Sequence, residues 1–221
     1  MLVDELIQKG YQAVIAIHLS GKISGTYATA KMVLDEHKDQ ILSYVIDSKG
    51  ASVGIEHMAE EFIQMNDSEM TLDSIYQNLL WLVDRTSIRF MVQDLNNLTK
   101  GGRLSSTEAL LGNMLKIRPV LKFDEQGNMI VHDKIRTTKK VYANFIEWIK
   151  EEQNLRDYDF DIYIAHTDAY DEAVRLADLI EENFPGQYSC KIRVLTPVLG
   201  THTGQGLVGM GILPIVSKLN R

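Results

Sequence analysis

The sequence predicts an α/β protein in two domains, and two features carry that prediction. Short apolar runs alternate with segments of helical spacing, the pattern of parallel strands covered by helices. After residue 88, a pair of strands joined by a short glycine-bearing loop breaks the alternation. Residues 1–87 are therefore expected to form a parallel-sheet α/β/α domain, and residues 88–221 a mixed-sheet α/β domain.

In the first domain, residues 2–9 have amphipathic spacing and Gly10 stops them. Ala13, Val14, Ile15, Ala16 and Ile17 form a continuous apolar run suited to a buried strand. Residues 24–37 place Tyr27, Ala30, Met32 and Leu34 at helical spacing, residues 41–46 read as a second strand and residues 51–65 as a second helix. Thr71 is a natural N-cap for a helix over 71–84, whose Ile75, Leu79, Leu82 and Val83 share one face. In the second domain, residues 89–92 read as a strand and LNNLTKGGR (95–103) as a turn-rich link. A helix over 105–115 is expected to stop near Ile117, because the residue before Pro119 avoids helical geometry. Strands over 120–124 and 129–134 make the hairpin. A helix over 138–153, a strand over 160–166, a helix over 169–183 closed by Pro185 and Gly186, and a last strand over 189–195 complete the order.

Apolar residues make up 45% of the chain and charged ones 24%, ordinary for a soluble globular protein. A chain of this length buries roughly 70% of its unfolded surface, so it needs neither disulfides nor a structural metal. The single cysteine, Cys190, excludes an internal disulfide and points to a reducing, cytoplasmic setting. The first ten residues lack a signal-peptide core and no apolar run reaches membrane length, so neither export nor membrane insertion is expected. A net charge of −7 and a pI of 5.4 argue against nucleic-acid binding, which calls for a basic surface. Lys134, Arg136, Lys139 and Lys140 are the one local cluster of basic residues, read either as a basic patch or, for the two lysines above all, as ordinary solvated surface.

Three glycine and hydroxyl loops stand out. Ser20-Gly21-Lys22-Ile23-Ser24-Gly25-Thr26 follows a buried strand and opens a helix, where free N–H groups and hydroxyls favour an anion; the plain alternative is an N-cap at Ser24. It is not a Walker A loop, because Ala16 stands where the first glycine is needed and Ile23 where Ser or Thr is. Lys100-Gly101-Gly102-Arg103 joins a glycine nest to an arginine fork suited to carboxylate or phosphate, or is a simple turn. Gly200 to Gly206 holds His202 between two threonines in a glycine-rich loop. Gly204, Gly206 and Gly209 spell G-x-G-x-x-G, yet too little chain follows for a βαβ unit, which excludes a dinucleotide site. His166-Thr167-Asp168, at a strand's end, reads as a polar cleft edge or a helix N-cap, of which the cap is the simpler. The six histidines are scattered and one cysteine builds no zinc site, so no metal is expected.

In this order the loops resemble the DegV family of bacterial fatty-acid-binding proteins. The matching pieces are HLSGKISGTYATA from His18, VIDSKGASVG from Val45, DLNNLTKGGRLSS from Asp94, LLGNMLKIRPVL from Leu110, KIRTTKKV from Lys134 and PVLGTHTGQG from Pro197. The resemblance implies two α/β domains clamping a long-chain fatty acid, its carboxylate at the domain interface and its tail in an apolar tunnel. It also implies a cytoplasmic binding subunit that presents the acyl chain to a separate ATP-using fatty acid kinase, with no catalytic residue, metal or cofactor of its own. On that basis Ser20, Gly21, Ser24, Arg103 and His202 are expected at the carboxylate, residues 109–121 with the adaptable Met114 at the tunnel wall, and Lys134 and Arg136 on the kinase-facing surface.

Some positions depart from the family pattern. Gly21 replaces its second serine and Gln205 its usual proline. The family's opening strand and its Thr-Ser-Gln-Pro-Ser type loop have no counterpart here, so the first domain is expected to be incomplete at its N-terminus. Two rival readings of the same residues are a small-molecule transferase or hydrolase with His202 as base near Ser24, and a family member left unable to bind by truncation.

Overall fold

Two parallel strands, β1 (Ala13–His18) and β2 (Leu42–Asp47), make a small sheet in which Ala13 lies beside Leu42 and His18 beside Asp47. This computed structural model describes residues 2–104 and 117–216. Around the small sheet, α2 (Thr26–Glu36) covers one face, while α3 (Val53–Asp67) and α4 (Leu72–Arg85) cover the other. The apolar spacing explains the layers: Ile75, Leu79 and Leu82 of α4 are fully buried against Ile46, Met58 and the half-buried Ile15 and Ile17. Thr71 caps α4 by accepting from the Ser74 N–H. A short α1 (Leu2–Gln8) leans on the end of α2, where His37 contacts Asp4 at 3.1 Å.

The larger sheet has six strands in the order β5-β4-β3-β8-β6-β7. They are β3 (Ser87–Met91), β4 (Arg118–Phe123), β5 (Met129–Ile135), β6 (Phe160–His166), β7 (Lys191–Val194) and β8 (Val208–Pro214). Only β6 and β7 pair in parallel, so the sheet is mixed. One face packs on α6 (Thr138–Leu155) and α7 (Tyr170–Asn183) through Phe145, Trp148, Ile149, Leu176 and Ile180. The other face meets α3 and two short helices, α5 (Asn96–Lys100) and α8 (Pro197–Thr203).

The α/β class with a parallel and a mixed sheet is as the sequence predicts, and the differences have physical reasons. The stretch expected to be a turn-rich link contains α5, and the loop holding His202 is the helix α8. Pro197 sits in the first turn of α8, where its fixed φ suits a helix start, and Gly204 ends it at φ 77°. The chain also has a strand beyond the expected last one. β8 reads VGMGILP, and its two glycines mask an otherwise buried apolar run. Gly209 has no room for a side chain, since a Cβ there would lie 2.7 Å from that of Phe90. Helix α2 starts at Thr26 with Gly25 as N-cap, rather than at Ser24. The helix expected over 105–115 lies outside the described residues.

Helix α3 holds the two sheets together. Val53 packs with Tyr163, Ala165 and Leu213 of the large sheet, while Met58 and Met65 pack in the cluster under the small one. Polar bonds repeat the connection: His57 Nε2 donates to Pro214 O at 2.6 Å, and the Val216 N–H donates to Glu61 at 2.8 Å. Lys191 reaches Glu60 at 2.8 Å, the Tyr163 hydroxyl donates to the same carboxylate, and Arg193 reaches Glu56 at 2.6 Å. Burial alone would raise the Glu60 carboxyl, but the Lys191 ammonium and the Tyr163 hydroxyl outweigh it and hold it below its ordinary value. Tyr163 itself, through burial and then its bond to Glu60, is pushed up to about 12. Truncating the fully buried Met58 to Ala is expected to cost about 2–5 kcal/mol in urea denaturation, whereas Arg193→Ala, losing a partly exposed ion pair, is expected to cost no more than about 1 kcal/mol.

Candidate fatty-acid site

Between the large sheet and the loops that follow β1 and β2 of the small sheet lies a cavity of about 150 Å³. Its floor is the sheet face that carries Ile88 and Phe90 of β3, Gly209 of β8 and Ala165 of β6. Leu98, Leu195, Val198, Leu199 and Leu207 wall it on the side of α5 and α8, and Phe123 and Met129 on the side of the hairpin. Leu19, Ile23, Ser24, Ala51, Ser52 and Val53 close it from the side of the small sheet. Almost every lining group is apolar, and the charged or ionisable ones among the described residues are Arg103 and His202.

These two meet Ser24 through a short chain of contacts. Arg103 donates its Nε–H to Ile23 O at 3.1 Å and one Nη1–H to Gly101 O. Two carbonyls thus fix the guanidinium plane beside Ser24, and Nη2 has no partner among the described residues. Gly101 in turn lies under the His202 ring, so close that a Cβ there would meet His202 Nδ1 at 2.6 Å. Only glycine allows α5 and α8 to approach this closely. Ser24 accepts the Thr26 N–H at 3.3 Å and contacts Thr26 Oγ1 at 3.2 Å. The result is an apolar cavity with a cation, an imidazole and a hydroxyl at one end, an arrangement suited to an amphiphile with an anionic head.

A family model described as "Uncharacterised protein, DegV family" matches residues 1–214. The chain belongs to the DegV family. A DegV domain-containing protein of Streptococcus pyogenes serotype M6 is 35% identical over 213 residues, covering 96% of this chain and 74% of that protein. Among solved structures, a fatty acid binding DegV family protein from Streptococcus agalactiae aligns with a TM-score of 0.87 and 31% identity, over 96% of this chain and 74% of that one. DegV from Bacillus subtilis, described as a fatty acid binding protein, aligns at 0.83 with 30% identity and the same coverage.

Of the residues singled out in the sequence, this DegV chain brings Ser24, Arg103 and His202 to one cavity but not Ser20 or Gly21. Ser20 is fully buried and its hydroxyl donates to Gly127 O at 2.7 Å, pinning the hairpin loop to the loop after β1. That contact explains Gly127, where a Cβ would fall 2.3 Å from Ser20 Oγ. The Gly21 N–H donates to Asp47 Oδ2 at 3.1 Å. Lys134, on the edge strand β5, and Arg136 just beyond it are exposed and do not line the cavity. Of the expected tunnel wall, residues 109–116 lie outside the described residues, and Leu121 packs in the core rather than on the cavity.

Sequence reasoning missed one contributor. Ser52 lines the cavity and caps α3 with φ 56° and ψ −121°, a left-handed conformation costly for a residue with a side chain. Its only signal was a serine next to an alanine at a helix start. Thr167 is not part of an N-cap: α7 is capped by Ala169 without a side-chain bond. Instead its hydroxyl donates to Gly204 O at 2.6 Å and accepts the Leu207 N–H at 3.0 Å, fastening the turn between α8 and β8. Among the described residues no group of His, Cys, Asp or Glu is placed to hold a metal. Burial pushes the Cys190 thiol up to about 11, which leaves it a poor nucleophile. Ser20→Ala, which strands the buried Gly127 carbonyl, is expected to cost about 1–3 kcal/mol by thermal denaturation while changing ligand affinity less than about twofold.

Proposed function

We propose that this protein binds one long-chain fatty acid and presents it to a separate fatty acid kinase, without catalysing a step itself. The observation that carries this reading is the apolar cavity with Ser24, Arg103 and His202 gathered at one end. The carboxylate takes the unspent Nη2 donors of Arg103, the His202 ring and the Ser24 hydroxyl, while the tail lies over the sheet face. Residues 1–87 and 88–221 act as the two domains that close on it. The tail dominates affinity at ~0.8 kcal/mol per buried methylene, and the polar end orients the molecule. A whole long tail needs more room than about 150 Å³, and the flexible thioether of Met129 on the wall is suited to yield. Membership of a family whose solved relatives are described as fatty acid binding supports the ligand class. Lys134 and Arg136, exposed and outside the cavity, supply the surface for the kinase.

Mass spectrometry of the denatured recombinant protein is expected to recover a long-chain acid, and palmitate or oleate to raise its melting temperature; neither acid nor shift would overturn the proposal. Arg103→Ala is expected to weaken palmitate binding by about tenfold or more, the worth of a hydrogen bond to a charged group. Arg136→Glu is expected to reduce acyl phosphate formation by the partner kinase with palmitate affinity unchanged, measured by coupled turnover and by titration.

A further inference from the structure

Among the described residues, three side-chain hydroxyls line the cavity, those of Ser24, Ser52 and Thr203. Two of them are engaged: Ser24 bonds Thr26 Oγ1 at 3.2 Å, and Thr203 donates to Leu199 O at 3.1 Å. The Ser52 hydroxyl has no hydrogen-bond partner among the described residues.

The place of Ser52 in the fold makes that unusual. It is the N-cap of α3, where a serine ordinarily has extended backbone and accepts an N–H of the first turn. Here φ is 56° and ψ is −121°, a conformation that suits glycine, and the capping bond is not made. Three other described residues besides glycine have positive φ, Lys49, Glu69 and Asp168, and none of them lines the cavity. The chain thus bears backbone strain at a wall of the cavity and gains no helix cap from it.

Ser52 and Ser24 also come from neighbouring loops. β1 and β2 are parallel and their last residues, His18 and Asp47, lie side by side, so the two loops leave the same edge of the small sheet. The Ser20 N–H donates to Gly50 O at 2.8 Å and ties one loop to the other. The carboxyl edge of a parallel sheet is where α/β proteins gather the groups that hold a ligand.

We infer that the Ser52 hydroxyl donates to the carboxylate of the bound fatty acid, beside Arg103, His202 and Ser24, and that the strained turn holds it there. The inference rests on the fatty-acid reading of the cavity. A carboxylate accepts several donors at once, and Ser52 brings a hydroxyl proton that no other group in the described chain uses.

The test is displacement of a fluorescent fatty acid by myristate, palmitate and stearate on wild type, Ser52→Ala and Ser52→Gly, with thermal unfolding of each delipidated protein. Ser52→Ala removes an unbonded hydroxyl and keeps the strain, so its melting temperature is expected to stay within about 1 °C of wild type. Ser52→Gly also removes the strain and is expected to melt about 2–4 °C higher. Both variants are expected to weaken all three acids by the same factor, about tenfold, because a bond to the head group is indifferent to tail length. Wild-type affinity in both variants, a loss that changes with tail length, or a melting temperature lowered in either variant overturns this inference and leaves the site reading intact. Failure of the wild-type chain to bind any of the acids overturns both.

Discussion

The structure depends on α3 being buried from two sides. A helix between two sheets must be apolar on two faces, and α3 meets that demand with Val53 toward the large sheet and Met58 and Met65 toward the small one. Its polar residues are spent on the same junction, with His57, Glu60 and Glu61 each bonded to the large sheet or the segment after it. The start of this helix is also a wall of the cavity, through Ser52 and Val53. The left-handed backbone at Ser52 is tolerated because the helix beyond it is locked into both layers. Anything that loosens α3 therefore loosens the junction of the two sheets and the cavity together.

The chemistry at the polar end is economical. The protein carries a net charge of −7, yet the cavity has a single guanidinium fixed by two backbone carbonyls. A fixed cation beside low-dielectric walls attracts an anionic head far more effectively than scattered surface lysines do. On the proposed reading, with the tail supplying most of the binding free energy, the polar groups set which way the ligand lies in the cavity. That orientation matters if a second protein is to act on the carboxylate.

Much of this was legible before any coordinates. A continuous apolar run announces β1, a glycine-bearing loop between two short strands announces the hairpin, and α4 is written in its spacing, because burial on one face leaves a periodic trace. β8 was illegible, since its glycines exist to let Phe90 and Val53 approach, contacts that no local pattern reveals. α8 was hidden by its proline, threonines and flanking glycines, which read as a loop until the fold uses the proline as a helix start. At the site, the glycine and hydroxyl loops pointed to Ser24, Arg103 and His202. The same loop also offered Ser20, whose hydroxyl donates to the carbonyl of Gly127, a partner 107 residues away that no local pattern reveals.

The central claim is that an ionised carboxylate sits against Arg103 with its tail in the apolar cavity. Carbon NMR of palmitate labelled at its carboxyl carbon, followed in the complex as pH is lowered, tests it most directly. The account predicts a bound resonance that keeps its ionised position well below the pH at which the free acid protonates, and that loses this resistance in Arg103→Ala. A bound carboxyl that titrates as it does in water, or that is indifferent to Arg103, would contradict it.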